Sequence, residues 1–524
     1  MPAQPFDAVI VGGGLGGLAC ALTLAGGGAR IALVEQHAEV GGKLAVARIG
    51  EHEIDCGPTV LTMRSVFDDL FAAAGMRVDD HLSLRPLAVL ARHAWHDGSR
   101  LDLFADEDRS AEAIAAFGGA READGFRRYV RYSARLLDRL DEPFMRHDNR
   151  GLMRMLLRVG PVGMLGMTRV DFARSMWRSL GDFFTDPRLR QLFARYATYY
   201  GSSPFAAPAT LNLISAVEQR GVWAIEGGMI RLARTVAAAF VERGGTLLTG
   251  CGAERFDTDA RGVHTVVLTD GTRLPCRHAV FNGDPDALCE GMLGDGVRAA
   301  VRPREAPRSL SARTWSMLAR PSGLELAYHT VCFGADYRGE FAALFGDRNG
   351  GGRRVPPDPT VYLCAPDRLV DAAPAGDERV FCLINAPAGA RTEEDDEEAT
   401  CRMAMEEGLR RCGLALNPIG TPVPASPSTF ARRFPGTQGA IYGAATHGAL
   451  AAFRRHRAQT RIPNLWLVGG AIHPGAGLPM VTMGGMWVAK RIAADLASTQ
   501  TSPMAAIAGG TSTASPRGAS PQSP

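Results

Sequence analysis

An uninterrupted apolar run at residues 8–11 leads straight into a glycine turn, and much of the chain then alternates short apolar runs with stretches of helical period. Residues 8–11 predict a buried strand and 18–25 an apolar helix stopped by Gly26, Gly27 and Gly28. Residues 31–34 predict a second strand that ends at Glu35. Further on, 229–242 has helical period and is closed by Gly244 and Gly245, after which 246–251 reads as a strand. Residues 263–268 and 273–276, joined by Asp270-Gly271, predict a hairpin, and 278–281 a further strand ending in Asn282-Gly283-Asp284. Strands are expected around 327–333, 360–364 and 379–385. Near the end, apolar residues 465–468 run into a Gly/Pro turn followed by a helix over 480–496. Strands and helices alternating in this way predict an α/β fold.

At 524 residues the chain is too long for one core, and two interleaved domains are expected. The first and last glycine turns and the block between them divide it into dinucleotide-binding segments at 1–75, 216–290 and 456–497. A helical segment at 76–215 and a substrate-binding segment at 291–455 lie between these. Residues 498–524 form an Ala/Gly/Ser/Thr/Pro tail that predicts disorder. The acidic run Glu393 to Glu398, capped by Thr392 and balanced by Arg410 and Arg411, reads as the first turn of a helix and not as a metal site.

Composition excludes more than it assigns. A net charge of +3 gives no footprint for nucleic acid. The ten cysteines make no C-x-x-C pair and sit in apolar runs, which predicts reduced thiols without zinc or a disulfide framework. His37, His52, His93 and His96 have no ligand spacing. No signal peptide is read at the N-terminus. Residues 462–489 carry no Asp, Glu, Lys or Arg, but prolines and glycines interrupt them, so a buried turn and helix is expected rather than a span.

Charge is biased in one place. Over 143–184, Arg146, Arg150, Arg154 and Arg158 recur every four residues with Leu152, Met155, Leu156 and Val159 opposite. Arg169, Arg174 and Arg178 follow among Met164, Leu165, Phe172, Met176 and Trp177. A cationic face, an apolar face and interfacial aromatics predict a helix lying on a membrane surface.

The chemistry gathers at the glycine turns. Gly12, Gly14 and Gly17 have G-x-G-x-x-G spacing between strand and helix, where they permit a tight turn, backbone approach to a pyrophosphate and close packing. The helix N-terminus offers N–H groups to phosphate, and Glu35 can accept hydrogen bonds from a ribose. Gly41, Gly42 and Lys43, then Gly57, Pro58 and Thr59, continue this pocket. The stretch Gly470-Ala471-Ile472-His473-Pro474-Gly475-Ala476-Gly477-Leu478-Pro479-Met480 makes a second such turn, suited to the far end of a long cofactor carrying a redox ring.

These motifs, with Gly201-Ser202-Ser203-Pro204, Gly227-Gly228-Met229, Asp336-Tyr337 and Asp358-Pro359-Thr360-Val361-Tyr362, resemble the bacterial phytoene-desaturase family of carotenoid desaturases over about residues 6–495. The 470–480 turn looks most like the hydroxycarotenoid (methoxyneurosporene-type) 3,4-desaturases of purple photosynthetic bacteria. The resemblance implies a Rossmann-like fold of the amine-oxidase and GDP-dissociation-inhibitor flavoprotein type and FAD as cofactor. It also implies a carotenoid substrate, oxygen or a quinone as electron acceptor, and peripheral attachment at the cytoplasmic side of the bacterial inner or photosynthetic membrane. Carried over by motif, Gly12, Gly14 and Gly17 hold the pyrophosphate and Glu35 the ribose. Gly41, Gly42, Lys43, Gly57, Pro58 and Thr59 lie along the cofactor, and Gly470, Pro474, Gly475, Gly477 and Met480 lie near its ring.

Three departures stand out. Lys43 occupies a position where the family usually has Arg. Ile225-Glu226 replaces Pro-Arg before Gly227, and no acid follows Gly470 to contact the flavin ribityl chain. A polyene precursor has no acidic proton, so hydride loss to flavin with the cation spread along the conjugated chain is the implied chemistry. His473, the one ionisable side chain in the last turn, is the candidate for taking the proton or for orienting the loop. The alternatives are a phytoene desaturase, an amine-oxidase-type flavoenzyme, and a non-catalytic prenyl-lipid escort.

Overall fold

The computed structural model describes residues 4–148, 171–303, 306–346, 352–369, 374, 376–389 and 395–500. Among these residues, two seven-stranded sheets organise the fold. Strand Phe6–Val11 is the centre of the first sheet. Its parallel neighbours are Ile31–Glu35, with Val11 opposite Val34, and the C-terminal half of Arg273–Phe281, with Val11 opposite Phe281. Thr246–Thr249 extends the sheet beyond Ile31–Glu35, and Leu465–Leu467 lies parallel to Arg273–Phe281, with Phe281 opposite Leu467. The expected hairpin forms between Gly262–Leu268 and Arg273–Phe281. The separate strand expected at 278–281 is instead the same strand continued. One run of nine residues pairs antiparallel at its start and parallel at its end, because every residue from Ala279 to Phe281 is buried and needs partners on both edges.

That register sets Val11, Val34, Phe281 and Leu467 at one level, so the loops after all four strands open on the same side. Carboxyl ends of parallel strands at a change of direction are where open α/β sheets place ligands. Helix Leu15–Gly26 lies against this sheet with nearly every side chain buried, and Leu478–Gln500 crosses it. A Cβ on Gly485 would sit 2.2 Å from the Gly16 carbonyl oxygen, so glycine is what allows the crossing.

The second sheet runs Leu414–Ala425, Ser311–Gly323, Glu378–Ala386, Val361–Cys364, His329–Cys332, Val89–Ala94, Arg100–Phe104. The stretch expected to be helical, 76–215, therefore also contributes strands: Val89–Ala94 pairs parallel with His329–Cys332. Sequence period missed Ser311–Gly323 and Leu414–Ala425. The latter is mostly exposed and carries three prolines, a pattern confined to an edge strand.

The acidic run opens helix Asp395–Arg411, with Arg410 and Arg411 in its last turn; the expected cap Thr392 lies outside the described residues. So do most of the expected membrane helix, including Arg150, Arg154, Arg158 and Arg169, and the tail beyond residue 500. Of its described arginines, Arg146 pairs with Asp141 at 3.0 Å, and Arg174 with Asp171 at 2.5 Å and Asp182 at 2.7 Å. Among the described residues no helix is long and apolar enough to cross a membrane, and no His/Cys/Asp/Glu group is set to hold a metal.

Candidate active site: two cavities joined at one wall

The loops above the first sheet surround a cavity of about 500 Å³. Of the residues expected from sequence, Gly12, Gly14, Glu35, Gly41, Gly42, Lys43, Gly57, Pro58, Gly470 and Gly477 line it. Gly12 takes a φ of +105° that favours glycine. Gly17 stands behind the turn: a Cβ there would lie 2.2 Å from the Gly12 carbonyl oxygen, so it serves packing. Glu35 is 4% exposed and fixes the turn directly. Gly13 N donates to its Oε2 at 2.7 Å and His37 N to its Oε1 at 2.9 Å. Each oxygen keeps a second lone pair for a ribose hydroxyl.

Lys43 is buried, and its Nζ donates to the Ile441 carbonyl oxygen at 2.5 Å. Burial pulls its ammonium down to about 8, with Asp284 opposing. Asn282 and Asp284 were read only as the end of a strand. In the fold, Asn282 Nδ2 donates to Gly12 O at 3.0 Å and Gly14 O at 3.1 Å, bracing the turn from behind. Asp284 lines the cavity; burial raises its carboxyl, and Arg308 at 3.1 Å partly offsets this. A buried acid therefore lines the cavity although none follows Gly470. Asn-Gly-Asp directly after a buried strand was the available signal.

A second cavity, of about 250 Å³, shares Gly57, Pro58, Phe381, Leu383, Tyr442, Ala476, Gly477 and Leu478 with the first. Thr59 and Met480 line this one and not the first. Its apolar wall includes Leu213, Ile214, Val217, Val331 and Phe341. Buried polar groups also face it. Arg195 Nη1 donates to the Tyr199 hydroxyl at 2.8 Å, and Tyr196 and Tyr199 donate to Glu218 at 2.7 and 3.0 Å. The Thr59 and Tyr362 hydroxyls are 2.5 Å apart, and Tyr362 reaches His329 Nδ1 at 2.8 Å.

The 470–480 turn does not present all its residues to these cavities. Gly475 packs on Tyr200, whose ring would be 2.8 Å from an added Cβ. His473 and Pro474 line a separate small cavity with Met483 and Trp487. The His473 ring stands edge-on to Phe144 at 4.6 Å, and its Nε2–H donates to the carbonyl oxygens of Phe144 at 2.7 Å and His147 at 2.9 Å. Two carbonyl acceptors fix the proton on Nε2. Burial lowers the ring to about 4, so it is neutral at pH 7. Arg455, missed in the sequence, ties the turn down by donating to Gly470 O at 2.9 Å and Tyr442 O at 3.1 Å.

The Gly227-Gly228-Met229 corner is a helix start. Met229 N donates to Asp55 Oδ2 at 2.7 Å and Ile230 N to Oδ1 at 3.2 Å, while Glu226 pairs with Arg85 at 2.5 Å on the surface. The departure at Ile225-Glu226 thus lies at a strand end and an exposed ion pair.

The larger cavity fits an extended dinucleotide. Glycines line the places where a side chain would intrude, helix Leu15–Gly26 points its N-terminus inward, and a buried acid stands at the strand end.

Comparison with known proteins gives the same picture. Residues 15–493 match the family described as flavin containing amine oxidoreductase. The chain is 45% identical to the hydroxyneurosporene desaturase of Rubrivivax gelatinosus, covering 98% of each chain. It is 46% identical to that of Cereibacter sphaeroides, covering 94% of this chain and 98% of the relative. Among solved structures, an oxidoreductase from Methanosarcina mazei superposes with a TM-score of 0.59 at 12% identity, covering 92% of this chain and 99% of that one, which is a likeness of fold.

Proposed function

Because this chain belongs to the flavin containing amine oxidoreductase family, we propose that it is an FAD-dependent carotenoid desaturase that forms the 3,4 double bond of a 1-hydroxy- or 1-methoxycarotenoid. The observation that carries this reading is the shared wall. A dinucleotide-shaped cavity meets an apolar cavity at Gly57, Pro58, Tyr442 and Gly477, and the chain is 45% and 46% identical to two hydroxyneurosporene desaturases. Nucleotide contacts come from residues 1–75, 216–290 and 456–497, joined by Thr314, Phe430 and Ile441 of 291–455, and substrate contacts chiefly from 291–455 and 76–215, joined by Val217.

Gly12, Gly14, Gly41 and Gly42 receive the pyrophosphate, Glu35 the ribose, and Asp284 with Lys43 the polar chain beyond it. Bound FAD supplies the hydride acceptor. The protein's share is placement and exclusion of water. Leu213, Ile214, Val217, Val331 and Phe341 form a slot in which apolar contact stabilises a polyene by about 25 cal/mol per Å² buried. Leu383, Ala476 and Leu478, which line both cavities, would hold the reacting part of the substrate where the two cavities meet. His473 is a positioning residue: its Nε2–H holds the 144–147 backbone against the last glycine turn. The basic, apolar segment around 143–184 supports contact with a membrane surface, from which a lipid-dissolved substrate enters.

An amine-oxidase reading draws on Tyr199, Tyr200, Tyr442 and Arg195 around the cavity. Arg195, however, is already engaged by Tyr199 and stands 3.8 Å from Glu218. Anaerobic mixing of the yellow protein with 1-hydroxyneurosporene, phytoene or an amine separates the readings. Bleaching by the hydroxycarotenoid with one new double bond is expected. Bleaching only by amines overturns it, conversion of phytoene moves the enzyme to a different step, and a protein that takes up no flavin leaves the escort.

A further inference from the structure

The cavity wall carries a polar corner that neither the cofactor cradle nor the apolar slot uses. Helix Tyr337–Phe345 presents Tyr337 and Glu340 to the second cavity. Three positions apart, they lie on one face of the helix. Both are buried, at 7% and 2% exposure, and neither the Tyr337 hydroxyl nor Glu340 Oε1 has a hydrogen-bond partner among the described residues. Glu340 Oε2 is held by the Thr360 hydroxyl at 2.7 Å, which aims the carboxyl. Thr360 and Asn385 complete the corner. An unpaired hydroxyl and an unpaired carboxyl oxygen inside an apolar cavity cost free energy unless a ligand satisfies them.

We propose that Tyr337 and Glu340 bind the terminal oxygen of the substrate, Glu340 Oε1 accepting from a tertiary hydroxyl while the Tyr337 hydroxyl donates to its oxygen. This rests on the desaturase reading above and names what selects its substrate. The placement suits the chemistry. Leu383, on the wall shared with the first cavity, and Asn385, in the polar corner, are alternate residues of strand Glu378–Ala386. Alternate residues point the same way about 7 Å apart. The oxygen on C1 is three bonds from C3, so anchoring it at the Asn385 level sets the C3–C4 bond near the Leu383 level. Burial raises the Glu340 carboxyl to about 7, against opposing hydrogen bonds from Thr360 and from the Asn385 side chain. At neutral pH both the accepting carboxylate and a donating acid form are available, so a methoxy oxygen, which only accepts, can be held as well. An apolar site that must pair such groups rejects the analogue lacking the oxygen.

The test uses the FAD-loaded protein with 1-hydroxyneurosporene and with neurosporene, which lacks the hydroxyl, following anaerobic flavin bleaching. Wild type is expected to prefer the hydroxylated substrate at least tenfold in rate over KM. Tyr337→Phe and Glu340→Gln should each raise KM for it by about tenfold and leave neurosporene unchanged, erasing the preference. Flavin absorption and melting temperature serve as the folding control, and if Glu340→Gln fails that control, Tyr337→Phe alone decides. Variants that weaken both substrates equally, or neither, overturn the proposal while leaving the desaturase reading intact. A wild type bleached by neither carotenoid overturns the desaturase reading itself.

Discussion

Glu35 Oε2 accepts a hydrogen bond from Gly13 N at 2.7 Å across 22 residues of sequence. The acid expected to meet a ribose is thus also the residue that holds the glycine turn in shape. With His37 N on the other oxygen, the carboxylate organises two backbone amides before any ligand arrives. Glu35→Ala leaves the buried Gly13 amide unpaired, a loss of roughly 1–3 kcal/mol, and frees the part-buried His37 amide as well. FAD affinity should fall at least tenfold, and the apoprotein should melt lower. Fluorescence titration of the apoprotein with FAD checks this; an unchanged dissociation constant would mean that Glu35 does not serve the nucleotide.

Gly14 and Gly17 should separate binding from folding. At Gly14 an added Cβ meets nothing nearer than the Asn282 amide at 3.1 Å, and the backbone has an ordinary φ of −70°. Gly14→Ala should fold with little change in melting temperature yet lose most flavin, because the methyl occupies the phosphate's place. At Gly17 the new carbon lies 2.2 Å from a backbone oxygen that cannot yield, so Gly17→Ala should give little soluble protein. Retention of stoichiometric flavin by Gly14→Ala would contradict the cradle.

Neutral buried histidines should make the fold acid-sensitive. Burial lowers His473 and His447 from 6.5 to about 4, and His329 to about 3. Between those values and 6.5 the unfolded chain binds protons that the native chain does not, so stability falls as pH drops through that window. The loss flattens below it, when both states are protonated. Each site contributes on the order of 3 kcal/mol. Denaturant melts from pH 7 to pH 4 should show the decline, with a smaller slope in His447→Gln; a flat profile would contradict the burial of these rings.

His473→Gln should slow turnover by about tenfold through a displaced loop, without changing the shape of the pH–rate profile between pH 6 and 9. A side chain already neutral across that range has no proton to lose there. Disappearance of an acidic limb in the variant would place His473 on the proton's route instead.

Residues whose neighbours in sequence define their conformation were readable. The apolar run into Gly12, Gly14 and Gly17, the acid at the end of the next strand, and the last Gly/Pro turn each follow from local period and backbone freedom. Of the residues expected to bind the cofactor, all except Gly17, Pro474 and Gly475 face one of the two large cavities. Asn282 and Asp284 escaped because Gly12 and Lys43 lie hundreds of positions away in the chain, and Arg455 because a single arginine fifteen residues before Gly470 carries no local signal of the turn it holds. Glu340 escaped too: on the sequence it is one acid in a short helix, and only burial beside Tyr337 and Thr360 distinguishes it.

Sequence by itself therefore determined the strand–glycine–helix unit, the acid that serves it and the family resemblance, since those depend on contacts within a few residues and on the geometry glycine permits. Tertiary structure decided which turn residues face a cavity and which merely pack, turning Gly475, Pro474 and His473 away and bringing Asn282 and Asp284 in. Parallel pairing set this: with Val11, Val34, Phe281 and Leu467 held at one level by the sheet, distant loops share one rim, and a side chain's role follows from where that rim leaves it.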